Sequence, residues 1–162
     1  MINNIRLREI TEQDQVFLLA VYSSTREAEL AQTGWSVQEQ SDFLQSQFNA
    51  QHQHYQQHYS EASFDLVLVD DKPVGRLYVA RWPSQIRIVD IALLTEFRGK
   101  KIGTELISAL FTEAKEKQLE LSIHVEKNNP AMGWYQGLGF LEIEDKGIYS
   151  LMRTHMLSQE TA

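Results

Sequence analysis

The sequence predicts an α/β protein: a mixed sheet, mostly antiparallel with a central parallel pair, flanked by four helices. Three observations predict it. Phe64–Trp82 and Phe140–Arg153 each read as strand, turn, strand, the pattern of antiparallel hairpins. Between them, the helical stretch Lys101–Lys117 separates two strand-like stretches, and such a crossover joins parallel neighbours. The remaining helical periodicity lies ahead of the first hairpin, so the order is strand, two helices, three strands, helix, strand, helix, two strands. A single domain over residues 1–162 is expected.

The elements follow from the residues in order. A first strand lies near Ile5. Thr11–Leu30 reads as a helix with Thr11 as N-cap and Asp14 at the capping-box position. Gly34 separates it from a second helix. Gln45–Gln57 is rich in Gln and His, but it holds no Gly or Pro. Val37, Leu44, Phe48, Tyr55 and Tyr59 recur at spacings of seven and four, which is helical. Phe64–Val69 is a strand, Asp70–Gly75 a turn, Arg76–Trp82 the second strand of the hairpin, and Gln85–Leu94 the third strand. In that third strand Ile86 and Ile88 share one parity while Val89, Ile91 and Leu93 share the other. Either a β-bulge flips the face after Ile88, or the strand is buried on both sides. Asp90 is an acid inside this apolar run, so it has a partner or a raised pKa.

Lys101–Lys117 aligns Ile102, Leu106, Leu110 and Ala114 on one face, with Lys115 and Lys117 near its end. Leu119, Leu121, Ile123 and Val125 alternate with Glu120, Ser122, His124 and Glu126, one apolar face and one polar. Asn129-Pro130 starts a short helix running to Leu138. Phe140–Glu144 and Ile148–Arg153 close the chain as a pair around Lys146-Gly147.

Composition narrows the function. Hydrophobic content is 43%, and no apolar run is long enough to cross a bilayer. No membrane partner is expected. The N-terminus lacks the layout of a signal peptide, so a cytoplasmic protein is expected. The formal net charge of −7 disfavours nucleic acid as a partner. The absence of cysteine removes thiolate catalysis and sulfur-ligated zinc. Of His52, His54 and His58, only the last two share a helix face, and no acid completes a zinc-protease pattern, so no metal is expected.

One stretch stands out against the acidic background: EFRGKKIGTEL, Glu96–Leu106. A helix start offers unpaired N–H groups and partial positive charge. Gly99 and Gly103 allow close backbone approach, and Arg98, Lys100 and Lys101 add full charges. The segment from Phe97 to Thr104 therefore suits a diphosphate. It is neither a P-loop nor a dinucleotide fingerprint, because the Lys-Ser/Thr pair and the three-glycine spacing are both absent.

RGKKIG after VDIAL, followed by NNPAMGWYQGLGF, resembles the GNAT superfamily of acyl-CoA-dependent N-acetyltransferases. Arg98, Ile102 and Gly103 match its Arg/Gln-x-x-Gly-x-Gly/Ala signature. Lys101 stands where that signature has its first glycine; at a helical φ it still offers its N–H. Asn128 or Asn129, with Ala131, Tyr135, Gly139 and Phe140, match a second signature. The order of elements agrees from Ile5 to Met152.

The resemblance implies a GNAT-like fold and acetyl-CoA as cosubstrate. Its pantetheine would lie along Ile91, Ala92 and Leu93. Its pyrophosphate would meet the N–H groups of Arg98, Gly99, Lys100, Lys101, Ile102, Gly103 and Thr104. Asn128 or Asn129 would touch the cofactor arm, and Tyr135 would protonate the leaving thiolate. Asp90 and His124 are the candidate bases, with Glu126 beside them. Arg26, Glu27, Glu29 and Trp35 border the expected acceptor pocket. The implied reaction is acetyl transfer to a primary amine of a small molecule or peptide by direct attack in a ternary complex. The implied assembly is a monomer or homodimer. The alternative is a non-catalytic acyl-CoA-binding or regulatory module.

Overall fold

The computed structural model describes residues 4–127, 129 and 131–154. Its strands are β1 (Ile5–Glu9), β2 (Ser63–Val69), β3 (Lys72–Arg81), β4 (Gln85–Leu93), β5 (Glu120–Glu126), β6 (Leu141–Lys146) and β7 (Tyr149–Arg153). Its helices are α1 (Gln15–Ser24), α2 (Glu27–Ala31), α3 (Val37–His58), α4 (Ile102–Glu116) and α5 (Met132–Gly137). The strand order is β1-β2-β3-β4-β5-β7-β6. β1 pairs antiparallel with β2, and β7 antiparallel with both β5 and β6, while β4 and β5 are parallel. This is the mixed sheet with a parallel pair that the crossover predicts. The chain divides into two compact units: residues up to Tyr78 together with Asp90–Gly103, and Val79–Val89 together with Thr104 onward.

In the first unit the expected helix Thr11–Leu30 is divided, so the described residues hold five helices where four were expected. Glu12–Asp14 is a 3-10 turn, with the Asp14 carboxylate accepting from the Thr11 N–H at 2.7 Å. The break at Thr25 has a side-chain cause. The hydroxyls of Ser24 and Thr25 donate to the carbonyls of Val21 and Tyr22 at 2.7 and 2.6 Å. The N–H groups of Thr25 and Arg26 bond three residues back, which tightens and ends α1. α3 begins earlier than the Gln/His-rich segment. Ser36 caps it, accepting from the Glu39 N–H at 3.1 Å, while Glu39 accepts from the Ser36 N–H at 2.9 Å. Val37, expected on the apolar stripe, is 86% exposed because it occupies the first turn beyond the core. Phe48 does reach the core, with Leu18, Tyr22, Leu66 and Leu68.

The β2–β3 turn is shorter than expected. Asp70 and Asp71 both lie in the left-handed region, at φ +51° and +68°. Two such residues make a two-residue hairpin turn, and Asp tolerates that conformation better than most side chains. β3 therefore starts at Lys72 and includes Pro73.

In the second unit α4 buries Leu106, Ile107, Leu110 and Ala114, and β5 buries Leu121, Ile123 and Val125. Phe140 is packed 5.5 Å from Phe111 and edge-on 5.9 Å from Tyr135. The other face of β5 is not simply solvated, because Ser122 is wholly buried on it. The pairing of β4 with β5 covers Gln85–Ile88 against Glu120–Ile123. Ile86, Arg87 and Ile88 are all buried, the pattern of a strand covered on both faces. The parity switch falls where this pairing ends. The closing pair runs over Leu141–Lys146 and Tyr149–Arg153, with a register shift between Glu142 and Glu144.

Candidate active site

In the first unit β4 ends at Leu93, and Thr95–Phe97 forms a 3-10 turn. Gly99 follows at φ +74° and Lys101 at φ +67°, and α4 starts at Ile102. Lys101 is thus left-handed, not helical as expected. A side chain there costs roughly 1–2 kcal/mol that a glycine would not, which accounts for a glycine in the signature at this position. Gly99, Lys100 and Lys101 are exposed. The first N–H groups of α4, those of Ile102 and Gly103, have no partner inside the helix. The N–H of Arg98, in contrast, donates to the Thr95 carbonyl at 3.2 Å. The Arg98 side chain turns back: Nε donates to the Leu93 carbonyl at 3.0 Å and Nη2 to Ser24 Oγ at 3.1 Å. That ties the end of β4 to the end of α1 and takes the carbonyl of Leu93.

Ile91, Ala92 and Leu93 are half-buried. Their position is set by Gly75 on β3, where an added Cβ would lie 2.3 Å from the Ala92 carbonyl oxygen and 3.0 Å from Leu93 Cα. Only a residue without a side chain lets the two backbones come this close. The Leu94 N–H donates to the Val74 carbonyl at 2.8 Å and fixes the same spot.

Asp90 has partners. Arg76 donates to it through Nη2 at 2.8 Å and Nε at 3.3 Å, and the Tyr55 hydroxyl through a 2.8 Å bond. Arg76 is only 3% exposed, and Gln51 Oε1 accepts from it at 2.8 Å. Burial alone would lower the Arg76 pKa, but the Asp90 charge, with Tyr78 and Tyr55, raises it on balance. The Tyr78 hydroxyl is enclosed with no hydrogen-bond partner among the described residues, and burial raises it to about 12. His52 is held below its ordinary pKa by burial and then by the Arg76 charge. Sequence reading missed Arg76, Tyr55, Gln51 and Tyr78. The available signal was that an acid in an apolar strand needs a donor, and Arg76 is a cation in the preceding strand.

At the junction of the early helices Arg26 pairs with Glu29 at 3.3 Å and lies over the Tyr22 ring at 5.3 Å. Glu27 and Trp35 are exposed, with Trp35 edge-on to Phe43 at 5.2 Å. His54 and His58 stack at 4.2 Å. Among the described residues no group of three or more His, Asp or Glu gathers where it could hold a metal ion.

In the second unit Tyr135 is 5% exposed on α5, with the Trp134 ring 5.0 Å away. Trp134 Nε1 donates to Thr104 Oγ1 at 3.4 Å, which links α5 to the first turn of α4. Asn129 Oδ1 accepts from the Ala131 N–H at 2.8 Å, so its carbonyl is spent on opening α5. Asn128 and Pro130 lie outside the described residues. His124 Nδ1 is 3.3 Å from Arg87 Nη1. Arginine only donates, so Nδ1 accepts, and the neutral ring carries its proton on Nε2. That Nε2 is buried with no partner among the described residues. Burial, then Arg87 and Lys146, hold His124 below its ordinary pKa, against Glu144.

The model of the acetyltransferase (GNAT) family matches residues 24–140. The fold resembles that of PaiA N-acetyltransferase from Thermoplasma acidophilum, solved in complex with coenzyme A. There the TM-score is 0.69 at 18% identity, over 93% of this chain and 98% of that one. It also resembles an acetyltransferase from Thermus thermophilus, with TM-score 0.67 and 17% identity over 94% and 97% of the two chains. A GNAT family acetyltransferase from Elizabethkingia anophelis with acetyl-CoA bound gives TM-score 0.58 and 17% identity over 94% and 98%. No curated protein matches the chain. With the family model covering well over half of its residues, the chain belongs to the GNAT acetyltransferase family.

Proposed function

We propose that this chain is a cytoplasmic N-acetyltransferase that moves the acetyl group of acetyl-CoA to a primary amine by direct attack in a ternary complex. The observation that carries the reading is the turn into α4: two left-handed residues, Gly99 and Lys101, and exposed cations ahead of unpaired helix N–H groups. Such a turn fits a diphosphate, with the N–H groups from Gly99 to Thr104 and the Lys100 and Lys101 ammonium groups around it. Acetyl-CoA supplies the activated thioester. The amine nitrogen bonds to the acetyl carbon as the carbon–sulfur bond breaks. One proton leaves the nitrogen, and the Tyr135 phenol gives one to the thiolate, so that amide and free thiol result and the released proton, through water, restores the phenol.

The amine must be neutral to attack. A lysine-like amine is neutral in roughly one molecule in 10³ at pH 7, a cost of about 4–5 kcal/mol. Asp90 has its oxygens engaged by three donors and its charge met by Arg76, which suits it poorly to take the proton. His124 has its basic nitrogen engaged by Arg87 and is a donor at Nε2. The proton therefore leaves through water.

The same turn also suits a second reading, an acyl-CoA-binding module without catalysis. An assay of thiol release across a panel of primary amines separates the two. Turnover with any amine supports the enzyme; tight acetyl-CoA binding with no turnover anywhere supports the module. For the enzyme, Tyr135→Phe lowers kcat at least about tenfold, the low end of general-acid assistance, with acetyl-CoA affinity and Tm near the parent. An unchanged kcat removes Tyr135 from the chemistry.

A further inference from the structure

Arg87 is 8% exposed in the middle of β4, and no carboxylate among the described residues pairs with it. Taking an ion out of water without a counter-charge costs several kcal/mol, so buried charges are paired or bind something. The neighbours of Arg87 orient it without neutralising it. Nε donates to Ser122 Oγ at 2.8 Å, and that hydroxyl donates to Gln85 Oε1 at 2.5 Å. Nη1 donates to His124 Nδ1 at 3.3 Å. The Trp82 ring lies under the guanidinium at 5.3 Å. The register that sets Arg87 opposite Ser122 across the parallel pair builds this chain of bonds.

Counting donors shows what is left over. Nη2 of Arg87 has two N–H groups and no partner among the described residues. His124 Nε2 carries a proton and is enclosed with no acceptor among the described residues. The cluster thus has fixed, unspent donors and an Arg87 charge that no carboxylate among the described residues pairs, while Glu144 and Lys146, which act on His124 with opposite signs, pair with each other at 4.0 Å, in a protein of net charge −7. The complementary group is an oxyanion with a planar pair of acceptors, since a guanidinium edge matches a carboxylate bidentately. We propose that Arg87, with His124 beside it, binds the carboxylate of a small organic acid, and that this acid is the amine acceptor itself, an amino acid. The amino-acid part rests on the transferase reading above; the carboxylate site does not.

The test uses matched probes: phenylalanine against 2-phenylethylamine and ornithine against putrescine, on the full chain. Binding is read as the Tm shift at rising probe concentration, which needs no turnover. The parent is expected to be raised by the amino acids and not by the amines that lack the carboxylate. Arg87→Met is expected to abolish the difference, and Arg87→Lys, which keeps the charge but loses the fork, to weaken it at least about tenfold. The kcat/KM for the amino acid is expected to fall at least about tenfold more than that for the plain amine in Arg87→Met.

Equal Tm shifts within each parent pair overturn the site. So does a carboxylate preference that survives in Arg87→Met, or one that is undiminished in Arg87→Lys if the Met variant does not fold. A carboxylate-dependent Tm shift with no preference in kcat/KM supports the site and assigns it to a separate organic acid. The same shift with no turnover of any amine overturns the transferase reading and leaves the carboxylate site standing.

Discussion

Arg76 on β3 and Arg87 on β4 are both withdrawn from water, yet Arg76 meets the Asp90 carboxylate while Arg87 meets a hydroxyl, an imidazole and an indole face. Arg76 and Asp90 neutralise each other, and Gln51 and Tyr55 use further donors and acceptors, so that cluster is closed on itself. Arg87 is oriented as firmly but left charged. A paired buried ion is held by its partner, and removing one member strands the other. Removing an unpaired buried ion strands no opposite charge, only the acceptors it served, here Ser122 Oγ and His124 Nδ1. Its cost is already borne by the folded protein, which is why it points to a ligand.

Substitutions break the comparison in order of size. Arg76→Met leaves Asp90 half-buried without its counter-charge and is expected to cost about 3–5 kcal/mol, measured by urea unfolding. Restoring most of that loss by adding Asp90→Leu confirms that the stranded charge, and not lost packing, is the cause. Arg87→Met is expected to leave stability unchanged or higher, and a loss as large as that of Arg76→Met removes the contrast.

Gly75→Ala separates the ion pair from the strand spacing beside it. Its methyl group has to displace the Ala92 carbonyl, so about 1–3 kcal/mol of overpacking is expected. KM for acetyl-CoA rises with it, because Ala92 and Leu93 shift. Stability lost with KM unchanged shows that the end of β4 does not hold the cofactor arm.

Lys101→Gly tests a cation whose cost is torsional instead of solvational. Relief of the left-handed φ is expected to stabilise the chain by up to about 1 kcal/mol, visible as a higher urea midpoint. Acetyl-CoA affinity measured at low salt shows how much the Lys101 charge contributes.

The smallest effect is in pH. His124 is held below its ordinary pKa, so the unfolded chain binds the proton more readily than the folded one. The stability this contributes is present above the ordinary histidine range and is lost as pH falls below about 6.5. Arg87→Met removes the second cause of the depression, so its unfolding free energy falls less steeply over that range. Equal slopes in the two proteins show that Arg87 has no part in the depression of His124.

Local pattern was enough for the strands, the parallel crossover and the turn into α4, because periodicity and glycine placement act over a few residues. It failed where a single side chain redirects the backbone. The hydroxyls of Ser24 and Thr25 end α1 inside an unbroken apolar pattern, and two aspartates take the role of Asn-Gly at the β2–β3 turn. The Ser36–Glu39 capping box was visible in principle and marks the start of α3 better than the apolar stripe does. At the site, Asp90 announced that it needed a partner but not which one. The Arg87–Ser122–His124 chain was out of reach, since it depends on the register of two strands that a whole helix separates in sequence.

That turn at Asp70 and Asp71 also bears on how the chain assembles in time. A two-residue connection closes the shortest loop a hairpin allows, an event on the order of microseconds. Seating β5 beside β4 means closing a loop that contains all of α4, and that entropic cost grows with the logarithm of loop length. The β2–β3 ribbon is then an early event and the parallel pair a late one. Loosening the aspartate turn would slow refolding, whereas weakening the β4–β5 register would chiefly hasten unfolding.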